Sequence, residues 1–401
     1  MNQGFRWLWA AHTVSVFGSL LTRTALPFAA ILALDATPLD MALLTMTDLA
    51  ASVTTSFVAA PWLDRLRRRP LMLAADLGRA VVLAAVPVAA VMGLLRLELL
   101  YAVAFVAGTL DTVFELAQGA YVPTLVPGDR LVPANARLSG SASAAEIVAF
   151  GVGGWLVQWL GAPHAIAVDA GTFAVSAWCL ARIAHREPCP LEDEPPAAPW
   201  RDAARGARAL VRDELLRGVV LADAGVAFGF RAFSVVFLLF VTRDLGFTPG
   251  VLGLVFATGG LASLAGAALA PGIGRWVGAP RAVAGGVALT GGALLLVPLA
   301  GGATASGAIL LLAQQLVGDG AYTVASVHEV SLRQARVPPE FLGRANAAKR
   351  LLDTAAMGAG ALAAGVIAQA GDLRGALTLA GTVPLLAGMA LARSARRLAD
   401  G

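Results

Sequence analysis

Charge is scarce in this sequence. Only 14% of its 401 residues are Asp, Glu, Lys or Arg, and a single lysine, Lys349, stands among 30 basic residues. The two cysteines, Cys179 and Cys189, fall near or beyond the inner end of an apolar stretch, where thiols stay reduced, so no structural disulfide is expected. His12, His164 and His185 give no metal-ligand spacing, and His328, at the inner end of another stretch, is expected to be solvated. Also missing are a phosphate-binding glycine-rich loop with its lysine and a Gly-x-Ser-x-Gly nucleophile elbow. The hydrophilic segments are too short for a catalytic domain. An enzyme is therefore excluded, no cofactor is called for, and any energy-driven process must draw on an ion gradient.

What is present is apolar length. Hydrophobic residues make up 58% of the chain, far above the share in soluble domains. A bilayer core needs about 20 mostly apolar residues per helix. The chain divides into twelve such stretches: residues 8–34, 41–63, 71–95, 99–124, 138–160, 163–183, 217–242, 249–272, 281–300, 304–331, 346–370 and 373–392. The fold expected is all-α and integral to the membrane. The first stretch is too long for a signal-peptide core and has no convincing cleavage site, so it is read as a retained helix.

Between the second and third stretches lies Asp64-Arg65-Leu66-Arg67-Arg68-Arg69, with four arginines in five positions. It marks a cytoplasmic edge. With the first residues inside, inner segments hold 24 Lys and Arg, outer loops hold Arg96, Arg243 and Arg374, and the helices hold three. That bias places both termini in the cytoplasm. Because the arginines are spread among short loops, the net charge of +4 needs no nucleic-acid partner.

One long hydrophilic interruption, residues 184–214, opens on the acidic, proline-rich run Glu187 to Pro196. It then turns amphipathic: Trp200, Ala204, Ala207, Leu210, Val211 and Leu215 recur at helical spacing against Arg201, Asp202, Arg205, Arg208, Arg212 and Asp213. This predicts a helix on the inner membrane face joining two six-helix halves, residues 1–185 and 217–401, through a linker at 186–216. The halves read as copies. An offset of 211 carries Phe17-Gly18 onto Phe228-Gly229, the Asp64-Arg65 turn onto Arg275-Trp276, Pro127 onto Pro338, Leu131 onto Leu342, and Ala134-Asn135-Ala136 onto Ala345-Asn346-Ala347. Parallel six-helix repeats imply a transporter with its cavity between two bundles.

Twelve helices in two halves, a central loop and a basic turn after helix 2 resemble the major facilitator superfamily over the whole chain. In the turn, Asp64, Arg65, Arg68 and Arg69 match that family's pattern, whereas Ala60 and Arg67 replace its glycines. Asp76-Leu77-Gly78-Arg79, Tyr121 to Pro127 with Ala134-Asn135-Ala136, and Val168 to Phe173 resemble the branch that includes bacterial macrolide and enterobactin exporters. The resemblance implies a bacterial cytoplasmic membrane, a small-molecule substrate, a lipid-embedded monomer, and a cavity lined by helices 1, 4, 7 and 10. Of the glycine pairs common in helix 5 of antiporters, only Gly153-Gly154 is present, with Ala149-Phe150 in place of Gly-Pro.

An ionised side chain at the bilayer centre costs about 2.5 to 3.5 kcal/mol on insertion scales and usually faces a partner or a wet cavity. Arg23 in helix 1 sits at a depth similar to Asp111 in helix 4, and Glu115 lies one turn further on the same face. Arg231 and Asp319 repeat this loosely in helices 7 and 10. These five are the candidate substrate or proton site, Glu115 being the first choice for a titrating acid and Asp111 the second; the alternative is that the pairs only hold helices together. Asp76 and Arg79 are expected to pair along helix 3 near the basic turn. With Asp64, Arg65 and Arg68 they form a candidate cytoplasmic gate, in which Asp64 caps a helix of the other half when the inner side closes. Asp48 and Asp169 read as packing or outer-gate residues, Asp223 as reached by water from inside, and Glu146 and Asp353 either as gating partners of Lys349, Arg350 or Arg137 or as substrate contacts. The leading function is proton-coupled export of a small, partly apolar compound. An importer of a small organic anion bound by Arg23 and Arg231, or a receptor that has lost transport, are the alternatives.

Overall fold

The structure is a computed structural model that describes residues 3–56, 66–126, 130–184, 208 and 210–400. Among these, twelve helices of sixteen residues or more follow one another. They are α1 (Gln3–Ala33), α2 (Pro38–Thr54), α3 (Arg68–Val91), α4 (Leu97–Leu125), α5 (Leu131–Leu160), α6 (Ala162–Ala181), α7 (Glu214–Leu239), α8 (Pro249–Val277), α9 (Ala279–Leu294), α10 (Ala305–Arg336), α11 (Pro339–Gln369) and α12 (Leu373–Asp400). No strand occurs among the described residues. Eleven of the helices are long and apolar enough to cross a membrane, α9 with its continuation to Leu299. The exception is α2, whose 17 residues run into a π turn at Thr55 and Ser56, where the described residues stop. The basic turn through Arg65 and most of the expected linker helix, residues 201–207 and 209, lie outside the described residues.

Helix breaks are made where the sequence removes backbone constraint. Gly161 separates α5 from α6 with φ 80°, and Gly278 separates α8 from α9 with φ 84°. A side chain with a Cβ is strained there, and glycine is not. Each is followed by Ala-Pro, which places proline in the first helical turn, where its missing N–H costs no hydrogen bond.

Two compact units result. Unit 1 is Met1–Ala36, Leu43–Pro196 and Thr248–Ala257; unit 2 is Thr37–Ala42, Ala197–Phe247 and Thr258–Gly401. In unit 1, α1 packs on α5 and α6, and α3 packs on α4 and α6. In unit 2, the same pairings recur as α7 on α11 and α12, and α9 on α10 and α12. The cores are built from Phe5, Leu8, Met72, Phe114, Tyr121 and Leu180 in unit 1 and from Val219, Val226, Val287, Ala325 and Leu391 in unit 2. Matching glycines allow the matching crossings. A Cβ at Gly18 would stand 3.1 Å from Phe173 Cζ of α6, and one at Gly229 would stand 2.9 Å from Pro384 Cγ of α12.

Candidate functional site

The polar residues of unit 1 converge on Arg79. Its side chain is 1% exposed, and its guanidinium is shared among three helices. Nη1 donates to Asp111 Oδ1 of α4 at 2.6 Å and to Ser19 Oγ of α1 at 3.2 Å. Nη2 donates to Ser15 Oγ at 2.9 Å and to the carboxylate of Asp76, one turn back on α3. From α6, Ser176 Oγ donates to Asp76 Oδ2 at 2.6 Å. The rings of Phe114 and Phe173 lie 4.9 and 4.2 Å from the guanidinium carbon, a setting that suits a planar, weakly hydrated cation able to stack on aromatic faces. Small hydroxyl residues at Ser15 and Ser19 leave α1 room for an arginine between the helices.

Arg23 and Asp111, expected to pair, do so at 3.6 Å. The two arginines on Asp111 nevertheless differ in kind, because the side chain of Arg23 is 62% exposed. A solvent-reached pair contributes about 0–1 kcal/mol, whereas removing one partner of a buried pair costs about 3–5 kcal/mol. Arg79 therefore fixes the helices, and Arg23 presents its charge outward. Glu115 is exposed one turn along α4.

Asp76 and Arg79, expected to pair along α3, do so, and Arg79 also reaches Asp111, because α1, α4 and α6 supply partners that α3 alone does not reveal. Of the other gate residues, Asp64 and Arg65 lie outside the described residues, and Arg68 is half-buried at the start of α3. Its neighbour Arg69, unassigned by sequence, closes the end of α6: Nε donates to Leu180 O at 3.0 Å and Nη2 to Ala181 O at 2.7 Å. Arginine at a helix C-terminus was the available signal.

In unit 2, Arg231 on α7 and Asp319 on α10 are half-buried. Asp319 faces Gly259 of α8, where a Cβ would stand 3.3 Å from its Cγ and 2.7 Å from Gln315 Nε2. Position 290, which the repeat offset aligns with Arg79, holds Thr290, buried and donating to Gly286 O at 2.9 Å. The arginine network thus has no copy there. A separate cluster forms from Asp223, Lys349 and Asp353: the contact of Asp353 with Lys349 was among those expected, and Asp223 joins it from α7.

His328 is corrected: it is 8% exposed, with Nε2 at 2.9 Å from Ala270 O, so the imidazole is packed against α8 rather than solvated. Asp169 is fully buried, accepting from Thr22 and Thr172. Cys179 is buried as a free thiol, and Cys189 lies outside the described residues. No cluster of His, Cys, Asp and Glu suited to a metal ion occurs among the described residues.

The pattern of the Major Facilitator Superfamily matches residues 8–330. The uncharacterized MFS-type transporter YfiS of Bacillus subtilis is 25% identical over 378 residues, covering 92% of this chain and 87% of that protein. The uncharacterized MFS-type transporter y4rN of Sinorhizobium fredii is 29% identical over 271 residues, 67% of this chain; the match spans 65% of that relative's length. Among solved structures, a bacterial homologue of the iron transporter ferroportin in an inward-facing state aligns with TM-score 0.77 at 18% identity, covering 96% of this chain and 98% of that one. The nucleoside transporter NupG aligns with TM-score 0.77 at 13% identity, covering 98% and 99%.

Proposed function

The chain belongs to the Major Facilitator Superfamily, and from that membership we propose that it is a secondary active exporter, moving a small, partly apolar compound such as a drug or siderophore by alternating access against a flow of protons. Membership makes it a multi-pass membrane transporter of a small molecule. Direction, substrate class and proton coupling are the proposed part, together with a place in the bacterial cytoplasmic membrane with both termini inside and action as a monomer. Export is supported by the stretches around Asp76, Tyr121 and Val168 that resemble macrolide and enterobactin exporters.

The observation that carries proton coupling is the division of labour on α4. Asp111 is already held by Arg79 and Arg23. Glu115, one turn along the same helix at an exposed position and electrostatically coupled to Arg23, is the group proposed to take up and release the proton. Arg231 and Asp319 are the proposed second-half contribution. Arg23 favours a second reading, import of an organic anion, because its side chain is exposed.

Everted vesicles energised by respiration test the first reading. Erythromycin or enterobactin, added as probe, collapses the pH gradient in the wild type and fails to do so in Glu115→Gln at equal expression. Undiminished collapse in the variant removes Glu115 from the mechanism.

A further inference from the structure

Lys349 is the one lysine in the chain, and acids from two helices surround it. Its Nζ donates to Asp353 Oδ2 at 2.6 Å, one turn along α11, and pairs with the carboxylate of Asp223 on α7. On α10, Glu329 pairs with Arg333 at 3.5 Å. Electrostatic coupling joins Glu329 to Arg333, Lys349, Asp223 and Asp353, and the Tyr322 hydroxyl to Asp223, Lys349, Asp353 and Glu329, so these side chains form a single cluster. All of them belong to unit 2.

The cluster holds more acid than base: three carboxylates against Lys349 and Arg333. Most of its unmet capacity is also on the acid side, two carboxylate oxygens against Nε of Arg333. Glu329 is 4% exposed, and its Oε1 is buried with no hydrogen-bond donor, as is Oδ1 of Asp353. A buried acceptor left without a donor costs about 1–3 kcal/mol, more when charged. One positive charge bearing hydrogen-bond donors meets both deficits. A bare proton meets one oxygen, and the described residues hold no group of ligands suited to a metal ion. An aromatic pair adjoins the carboxylates: Phe230 and Tyr322 stand edge to face, ring centres 5.0 Å apart. Aromatic faces attract organic cations.

We propose that this cluster binds one monovalent organic cation, with Glu329 and Asp353 as its carboxylate ligands and Tyr322 as its aromatic neighbour. In naming that cation as the charged part of the exported compound, the inference rests on the exporter reading; the existence of the site does not. Lys349 holds Oδ2 of Asp223 and of Asp353, and Arg333 stands against Oε2 of Glu329, which leaves Oδ1 of Asp353 and Oε1 of Glu329 for the ligand.

Ethidium, a fluorescent organic cation, is the probe. Its binding to the purified full-length protein in detergent is followed by fluorescence polarisation at neutral pH. The wild type binds it saturably; Glu329→Gln and Asp353→Asn each weaken binding about tenfold or more; phenanthridine, its uncharged relative, does not compete. Size-exclusion chromatography establishes that each variant is folded. If Glu329→Gln is not, Glu329→Asp, which keeps the charge but withdraws Oε1, gives the same loss. Absent binding, or equal binding in wild type and folded variants, overturns the site. Intact binding with no ethidium flux in vesicles overturns the exporter reading and leaves the site standing.

Discussion

Without the guanidinium of Arg79, Asp76 would keep two serine hydroxyls and lose the cation that pairs with it, while fully buried. The expected loss is about 3–5 kcal/mol, the cost of breaking a buried pair. Arg79→Ala should therefore lower the thermal unfolding midpoint in detergent sharply, read by tryptophan fluorescence, and Arg79→Lys should not restore it, because an ammonium cannot reach Asp111 and Asp76 together while packed against Phe114 and Phe173. Arg23→Ala should move the midpoint little, within about 1 kcal/mol. Equal destabilisation by the two alanine variants would refute the distinction between a packing arginine and a presenting one. The spacing of Asp76 and Arg79 made their pairing legible in the sequence; their depth in the bundle was not, since it depends on Ser15, Ser19 and Ser176, whose hydroxyls carry no periodic signal.

At the scale of elements, helix ends show what apolar windows miss. The expected helices at 138–160 and 346–370 begin instead at Leu131 and Pro339, and the last continues from 392 to Asp400. Polar residues extend a helix into water without adding hydropathy, so length alone underestimates it. The start of α7 is fixed by Asp213, whose Oδ1 accepts from the N–H groups of Leu215 and Leu216 at 2.9 and 3.0 Å and whose Oδ2 accepts from Arg336 Nη1 at 2.8 Å. Partial burial alone would push this carboxyl up, but Arg336 and the two N–H groups outweigh it and hold it below the ordinary value of 3.8. A depressed value means stabilisation that is present in full above the ordinary value and lost as pH falls through the lower folded one. Asp213→Ala should cost about 1 kcal/mol at neutral pH. In acid below the folded value, wild type and variant should unfold at the same denaturant concentration; a difference that persists there would contradict the cap.

For the molecule as a whole, duplication is visible in helix starts: Pro38 and Pro249, Arg68 and Ala279, Ala162 and Leu373 each differ by 211, the offset found in sequence. Charge does not follow it. The position of Arg79 holds Thr290, that of Asp64 holds Arg275, and the Lys349 cluster belongs to unit 2 alone. A carrier whose halves share a scaffold but not their charges has one proposed cytoplasmic latch rather than two. Asp64→Asn should therefore slow turnover more than it weakens binding, measured as flux and as equilibrium binding of one probe. A loss of binding with turnover of bound substrate unchanged would discard the latch.

The sequence by itself determined the solvent of this protein, the positions of its apolar stretches, the internal repeat and the charge bias across the membrane. These properties add up along the chain: hydrophobic length, loop charge and offset need no knowledge of neighbours. Tertiary structure decided which charges meet. Each residue turns a helix by about 100°, and the neighbour facing a side chain depends on packing between helices distant in sequence. That is why Arg23 with Asp111, and Lys349 with Asp353 one turn along α11, were foreseeable as pairs, whereas Arg79 on Asp111 and Asp223 on Lys349 emerged only once the helices were assembled.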